Sequence, residues 1–134
     1  MQNKLLTFTK EERLTSQLII EQLFDKNNKG LFKFPFRISV LFIPVPTPFP
    51  AQVLISVSSK RFKRAHDRNR IKRQIREIYR LCKNDLYSSL KSQNRQAAIL
   101  ITYIGKTLLP YNELCKPLQE SLTKLINQPD GQTA

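Results

Sequence analysis

The sequence predicts an α+β sandwich of a single domain, in which helices pack on a mixed central sheet in the order α-β-β-α-β-α. The chain has 134 residues, a length that suits one domain with a real core. Hydrophobic residues make up 40% of it, including eight Phe and four Tyr, which supports a packed interior. Segments with helical spacing alternate with β-branched runs. We therefore expect residues 1–134 to form one domain, with flexible ends at 1–9 and 127–134.

The first and last helices are predicted from the spacing of their apolar residues. A first helix is expected at residues 15–26, where Thr15 or Ser16 could cap the start and Gly30 follows as a stop signal. Four leucines indicate the last helix. Pro117 fits only a first turn, so this helix either starts late or is kinked there. The leucines are Leu114, Leu118, Leu122 and Leu125.

Three segments have the pattern of strands. Residues 32–43 are aromatic and β-branched, although Pro35 restricts their early part to an edge or a bulge. Four prolines between Pro44 and Pro50 then force an extended connection. The segment QVLISVSS alternates apolar side chains with increasingly polar ones, as a strand beside a cleft would. Residues 97–104 form a nearly continuous apolar run, which is typical of a central strand.

A long helix is predicted between the second and third strands. It should begin near His66 or Asp67 and end at about Tyr87, with the Asp67 carboxylate at the positive end of the helix dipole. One side is an apolar stripe at helical spacing, formed by Ile71, Ile75, Ile78, Cys82 and Leu86. On the opposite, cationic side we expect Asn69, Lys72, Arg73, Arg76, Arg80 and Lys83.

The positive charge of the chain is concentrated around the start of this helix. Residues 60–80 contain ten Lys or Arg and two acidic residues, and so carry +8 of the net charge of +13. The pI is about 10.2. Charge of one sign repels itself unless a polyanion lies against it. Arginine forks and the free N–H groups of a helix start both bind phosphate. The sequence therefore predicts a nucleic-acid-binding surface rather than an ordinary solvated helix face.

A catalytic site made by the protein itself is not supported. Such a site needs a nucleophile with its base, paired carboxylates or a metal cluster, whereas the chain has one histidine, His66, and scattered carboxylates. Three glycines are too few for a Gly-rich phosphate loop. Cys82 and Cys115 lack the further ligands of a zinc site, so we expect reduced, partly buried thiols. We predict no catalytic residues and no metal site in the protein.

The segment from Ser56 to Arg80, SVSSKRFKRAHDRNRIKRQIREIYR, resembles the signature of the protein component of bacterial ribonuclease P. Its diagnostic block is RNRIKR at residues 68–73, followed by an Arg-Glu pair at 76–77. The upstream SVS-x-K stands at the expected distance, and RAH is one of the variants that the family uses. Weaker matches, among them Arg13-Leu14, extend the resemblance over about residues 11–126.

The resemblance implies a protein that binds a large catalytic RNA and helps it remove the 5′ leader of precursor tRNA, while the RNA and its Mg²⁺ ions carry out the hydrolysis. It also implies a left-handed β-α-β crossover around the basic helix, where the general rule favours a right-handed one. The residues expected to bind RNA are Lys60, Arg64, Arg68, Asn69, Arg70, Lys72, Arg73, Arg76 and Arg80.

The family resemblance further implies a cleft between the first helix and the sheet that holds the single-stranded leader. Phe24, with one of Phe34 or Phe36, would stack on leader nucleotides. The family often has an aromatic residue one turn earlier in the first helix, where this chain has Ile20. The candidate cleft residues are Ile20, Phe24, Phe34, Phe36, Ser56 and Ser58.

Three other functions stay open at this point. A ribosomal or general structured-RNA-binding protein would carry similar charge, a nuclease acting without RNA would cleave precursor tRNA alone, and a helix-based regulator would prefer duplex DNA. No protein partner is evident. The sequence lacks an apolar stretch of about 18 residues and a signal-peptide core, so we expect a cytoplasmic protein without a membrane partner.

Overall fold

Residues 8–25 and 30–126 are described by a computed structural model. Within these ranges, a short 3₁₀ turn at Lys10–Glu12 precedes three helices and four strands. The α+β class and the element order agree with the prediction, with one strand more than expected. The elements are α1 (Gln17–Leu23), β1 (Leu31–Lys33), β2 (Phe36–Leu41), β3 (Ala51–Val57), α2 (Ala65–Ser92), β4 (Ala97–Tyr103) and α3 (Tyr111–Ile126).

The four strands form one mixed sheet in the order β1-β2-β4-β3. β1 pairs antiparallel with β2, and β2 pairs antiparallel with β4. β3 and β4 are parallel neighbours joined by α2, so the β-α-β unit expected around the basic helix is present. The left-handedness implied for this crossover stays a prediction.

The two faces of the sheet contact different helices because successive strand side chains point to opposite sides. One face packs against α2 and α3 and forms the larger core, which includes Phe36 and Ile101. The other face forms a smaller core with α1, in which Leu23 packs with Leu100. α1 is only seven residues long, so it covers part of its face and leaves the remainder for other contacts.

α1 begins where the sequence predicted and ends earlier. The Ser16 hydroxyl accepts a hydrogen bond from the backbone N–H of Ile19 at 3.4 Å, so Ser16 is the N-cap and Thr15 is not. The helix ends at Leu23 rather than at Lys26, which lies outside the described residues.

The strand predicted at 32–43 is in fact two strands. A turn at Phe34 and Pro35 separates β1 from β2, so Pro35 needs no ladder hydrogen bond. Gly30 stands before β1 with a φ of +69°, and a Cβ there would lie 2.7 Å from the carbonyl oxygen of Ile38. Glycine is therefore required where the chain enters this hairpin.

α2 extends beyond its predicted end, and α3 starts early enough to include Pro117 in its interior. α2 ends at Ser92 instead of Tyr87, because Leu90 continues the buried stripe by one more turn. α3 begins at Tyr111 and continues through Pro117, so the possibility of a late start is wrong. The leucines on both sides of this proline are buried in the larger core, which holds the helix together around the missing N–H.

Two further expectations concern the thiols and the helix lengths. Cys82 and Cys115 are free and partly buried, as predicted. Burial raises the pKa of the Cys82 thiol to about 11, so this group is protonated at neutral pH. Among the helices in the described ranges, none is long and apolar enough to cross a membrane.

Candidate nucleic-acid interface

The loop between β3 and α2 carries the first predicted RNA-binding residues and is fixed by its own polar groups. The Ser58 hydroxyl accepts hydrogen bonds from the backbone N–H groups of Lys60 at 3.2 Å and Arg61 at 3.4 Å. The Arg61 guanidinium donates to the carbonyl of Ile104. Ser58, expected in the cleft, therefore shapes this turn and is half-buried.

Arg68 holds the second half of the same loop. Its Nη1 donates to the carbonyl oxygens of Phe62 at 2.7 Å and Lys63 at 3.0 Å. The guanidinium is partly buried by these contacts. Arg68 thus fixes the loop that carries Lys60 and Arg64, in addition to adding positive charge at the helix start.

Most of the other cations along α2 are free of acidic partners. Among residues 8–25 and 30–126, ion pairs with carboxylates include those of Lys33, Arg80 and Lys83, and Nδ1 of His66 lies near Oδ1 of Asp67. Asn69 is exposed beside the unpaired cations, so the helix start presents an almost purely positive surface. The cations without a carboxylate partner there are Lys60, Arg64, Arg68, Arg70, Lys72, Arg73 and Arg76.

Arg80 differs from these residues because Glu77 neutralises it. Its Nη2 lies 2.6 Å from Glu77 Oε2, and its Nε donates to Oε1 at 3.1 Å. A bidentate pair of this kind fixes the guanidinium in place. Arg80 therefore contributes less free positive charge than the residues nearer the helix start.

Lys83 is not on the cationic side of α2, and that prediction is wrong. Its side chain is 1% exposed, and its Nζ lies 2.5 Å from Oε2 of Glu12. Glu12 comes from the 3₁₀ turn, 71 residues earlier in the chain. The helical spacing of α2 alone could not show that a distant carboxylate would compensate the buried ammonium.

Arg13 joins the basic side of α2 from outside the helix. Burial lowers the pKa of Arg76, and the nearby positive charges of Arg13 and Arg73 lower it further. Arg13 was not among the predicted RNA-binding residues. The Arg13-Leu14 match was the only signal in the sequence that pointed to it.

A row of four residues crosses the sheet on the side of α1, and we call it the open row: Phe32, Arg37, Thr102 and Ser56. Strand register places these residues side by side. All four are partly or fully exposed, and none belongs to the core that α1 covers. The Arg37 Cζ lies 5.4 Å from the centre of the Phe32 ring. Aromatic rings and guanidinium groups stack on bases, and hydroxyls bind phosphate or sugar.

The predicted cleft residues are only partly brought together. Ser56 lies in the open row, and Ile20 packs in the α1 core beside it. Phe24 and Phe34 are 57% and 67% exposed, at the end of α1 and in the β1–β2 turn. Phe36 does not line this face: it is fully buried on the opposite side, because the turn at residues 34–35 sets its strand register. Arg37 in β2 and Thr102 in β4, two polar residues within mostly apolar strands, were the missed signal.

The described part of the chain shows no cluster of three His, Cys, Asp or Glu residues that could hold a metal ion. His66 is largely exposed, with its Nδ1 3.7 Å from Oδ1 of Asp67. The cations at the start of α2, which lack carboxylate partners among the described residues, can bind a polyanion. The open row beside them can bind a single-stranded nucleic acid. The fold and this surface are those of an α+β RNA-binding protein.

The comparison with known proteins identifies the family. The family model for ribonuclease P matches residues 8–126. Proteins named "Ribonuclease P protein component" from two strains of Porphyromonas gingivalis are each 31% identical over 117 residues, which cover 87% of this chain and 85% of theirs. One from Idiomarina loihiensis is 37% identical over 79 residues, covering 59% of this chain and 61% of its own. The chain belongs to the ribonuclease P protein family.

Proposed function

We propose that this chain is the protein subunit of a ribonuclease P holoenzyme, which removes the 5′ leader of precursor tRNA by endonucleolytic cleavage. The observation that carries the proposal is the run of cations at the start of α2 that lack carboxylate partners among the described residues. These cations would neutralise phosphates of the catalytic RNA and so reduce its repulsion from the tRNA, which is itself a polyanion.

The chemistry is proposed to belong to the RNA. Following what the family resemblance implies, we assign the Mg²⁺ ions mainly to the RNA and no catalytic step to this chain. The protein contributes binding and orientation, and it is proposed to act in the cytoplasm. Removal of the leader by attack of water leaves the mature 5′ end of the tRNA.

The leader is proposed to lie along the open row. This row starts next to the loop that leads into α2, since Ser56 and Thr102 stand at the ends of the parallel strands β3 and β4. A strand that leaves the catalytic RNA surface would therefore meet Arg37 and Phe32 without crossing α1. Stacking on Phe32 and on the exposed Phe24 and Phe34 tolerates any base, which suits leaders of varied sequence.

The test is reconstitution with the matching catalytic RNA. At low Mg²⁺, adding the protein should accelerate cleavage of precursor tRNA well beyond that by RNA alone. Arg70→Glu should abolish most of this gain, whereas Lys116→Glu, with the same charge change at an exposed position on α3, should keep it. No gain with wild-type protein would contradict the proposal and favour a general structured-RNA-binding protein. Cleavage by RNA-free protein would favour a nuclease acting by itself.

Leader binding has a separate test. Phe32→Ala should weaken binding of precursor tRNA to the holoenzyme while leaving binding of mature tRNA unchanged, since mature tRNA has no leader. Leu81→Ala, which truncates another exposed apolar side chain, is the control. An equal loss for both tRNAs would mean that the open row does not hold the leader.

A further inference from the structure

The segment at residues 8–14 is fixed along the outer edge of β3. The backbone N–H of Leu14 donates to the carbonyl of Val53 at 3.0 Å, and Arg13 forms a parallel bridge with Val53. The Gln52 side chain donates to the carbonyl of Glu11 at 2.9 Å. The backbone of this segment therefore runs along the outer edge of β3.

A buried ion pair joins the same segment to α2. Glu12 and Lys83 are 0% and 1% exposed, with Nζ 2.5 Å from Oε2. Tyr87 also donates to Oε2, at 2.6 Å, and the backbone N–H of Thr9 donates to Oε1 at 2.8 Å. Both carboxylate oxygens thus have partners, which a desolvated ion pair needs if it is to be stable. One end of residues 8–14 is thereby fixed to a single point on the helix.

Arg13 is the residue after Glu12, and it lies beside the basic side of α2. Its Cζ is 5.7 Å from the centre of the Phe8 ring, and that ring packs edge-on against Tyr79 at 5.7 Å. Tyr79 stands one helical turn after Arg76, so Phe8 and Arg13 lie near Arg76. Lys83 stands two turns after Arg76, which is about 10 Å along the helix axis. Arg13 is exposed, and no carboxylate of the described residues pairs with it.

We propose that Arg13, Arg73 and Arg76 form one phosphate-binding site for the catalytic RNA, assembled from two elements of the chain. Glu12 and Lys83 are its positioning residues, because their pair fixes Arg13 against α2. This inference rests on the proposed function and extends it by adding a binding residue outside the basic helix. Three guanidinium groups from two elements surround an anion more fully than a single helix face can.

The electrostatics of the free protein agree with such a site. The pKa of Arg76 is lowered by burial, and further by the charges of Arg13 and Arg73. Like charges held this close repel each other until an anion lies between them. A phosphate at this point would therefore relieve repulsion as well as form charge-assisted hydrogen bonds.

The first test is Arg13→Ala, measured as the affinity of the protein for the catalytic RNA over a range of salt concentrations. We expect affinity to fall roughly tenfold and the salt slope to decrease by about one, as for one lost phosphate contact. Lys116→Ala on α3 should change neither. Because Arg13 is exposed, the variant should fold, and unchanged affinity and slope would overturn the proposal.

The second test is a double-mutant cycle for the positioning role. Glu12→Gln should weaken RNA binding severalfold in the wild-type background but by less than about twofold when Arg13 is already alanine. Glu11→Gln, at the exposed neighbouring position, should have little effect in either background. Equal losses from Glu12→Gln in both backgrounds would show that Glu12 acts only on stability, and would overturn its positioning role.

The failure of this inference differs from the failure of the proposed function. If Arg70→Glu weakens RNA binding and Arg13→Ala does not, α2 binds RNA as proposed but the site formed with Arg13 is wrong. If neither variant weakens binding and reconstitution fails, the proposed function itself is wrong. Melting temperatures measured for each variant separate loss of folding from loss of contact.

Discussion

Arg68 and Arg70 stand two residues apart in α2 but have different surroundings. Arg68 donates to two loop carbonyls, whereas Arg70 is exposed and has no carboxylate partner among the described residues. The sequence predicted RNA binding for both because the motif contains both. Only the folded loop shows that Arg68 also has a structural role, since its acceptors are backbone groups that no sequence pattern specifies.

We expect Arg70→Ala to weaken RNA binding without lowering the free energy of unfolding. Arg68→Ala should weaken binding and also lower stability by about 1–3 kcal/mol, because the hydrogen bonds of a charged group are lost. Denaturant unfolding and RNA titration of both variants check this. Equal stability of the two variants would contradict the structural role of Arg68.

Alanine substitutions of Phe34 and Phe36 should differ in their effect on stability. Phe36→Ala removes a fully buried ring and should destabilise the protein by about 3–5 kcal/mol. Phe34→Ala removes an exposed ring and should change stability by less than about 0.5 kcal/mol. Denaturant midpoints of the two variants measure the difference. A large destabilisation by Phe34→Ala would contradict its exposed position in the turn.

The basic helix could be predicted from the sequence, whereas the position of Lys83 and the open row could not. The basic helix was clear because Ile71, Ile75 and Ile78 recur at helical spacing within one continuous segment. Lys83 was misplaced because its partner Glu12 is distant in sequence and the pair forms only in the fold. The open row was missed because it depends on strand register, which the turn at residues 34–35 determines.

The pair between the 3₁₀ turn and α2 should make stability depend on pH. Burial acts to raise the pKa of Glu12, but hydrogen bonds from Lys83, Tyr87 and Thr9 outweigh it, and the pKa lies below the ordinary 4.5. The stabilisation from this shift is therefore present above about pH 4.5 and is lost as the pH falls through the folded-state pKa. The difference in unfolding free energy between wild type and Glu12→Gln should shrink over this range. A difference that stays constant down to pH 3 would contradict the shift.

At the scale of the whole molecule, the net charge of +13 opposes the compact state. Composition alone predicted this property, and the structure adds that most cations near the start of α2 lack carboxylate partners in the described residues. Bound RNA would neutralise this repulsion. The free protein should therefore be less stable than its core would otherwise allow.

The melting temperature of the free protein should accordingly rise with added salt, since ions screen the repulsion. Short RNA should raise it further at low ionic strength because it binds only the folded surface. Arg73→Gln should reduce the salt dependence, whereas Lys116→Gln should change it less. A melting temperature that falls with moderate salt would mean that attractive ion pairs outweigh the repulsion.

The bridge between Arg13 and Val53 has a consequence for solubility. An uncovered outer strand offers its N–H and C=O groups to other chains and so promotes aggregation. On β3 the segment at residues 8–14 occupies part of that border, and at the other end of the sheet β1 is only three residues long. A chain shortened to begin after Leu14 would expose β3 and should self-associate in concentrated solution, even with its basic surface intact.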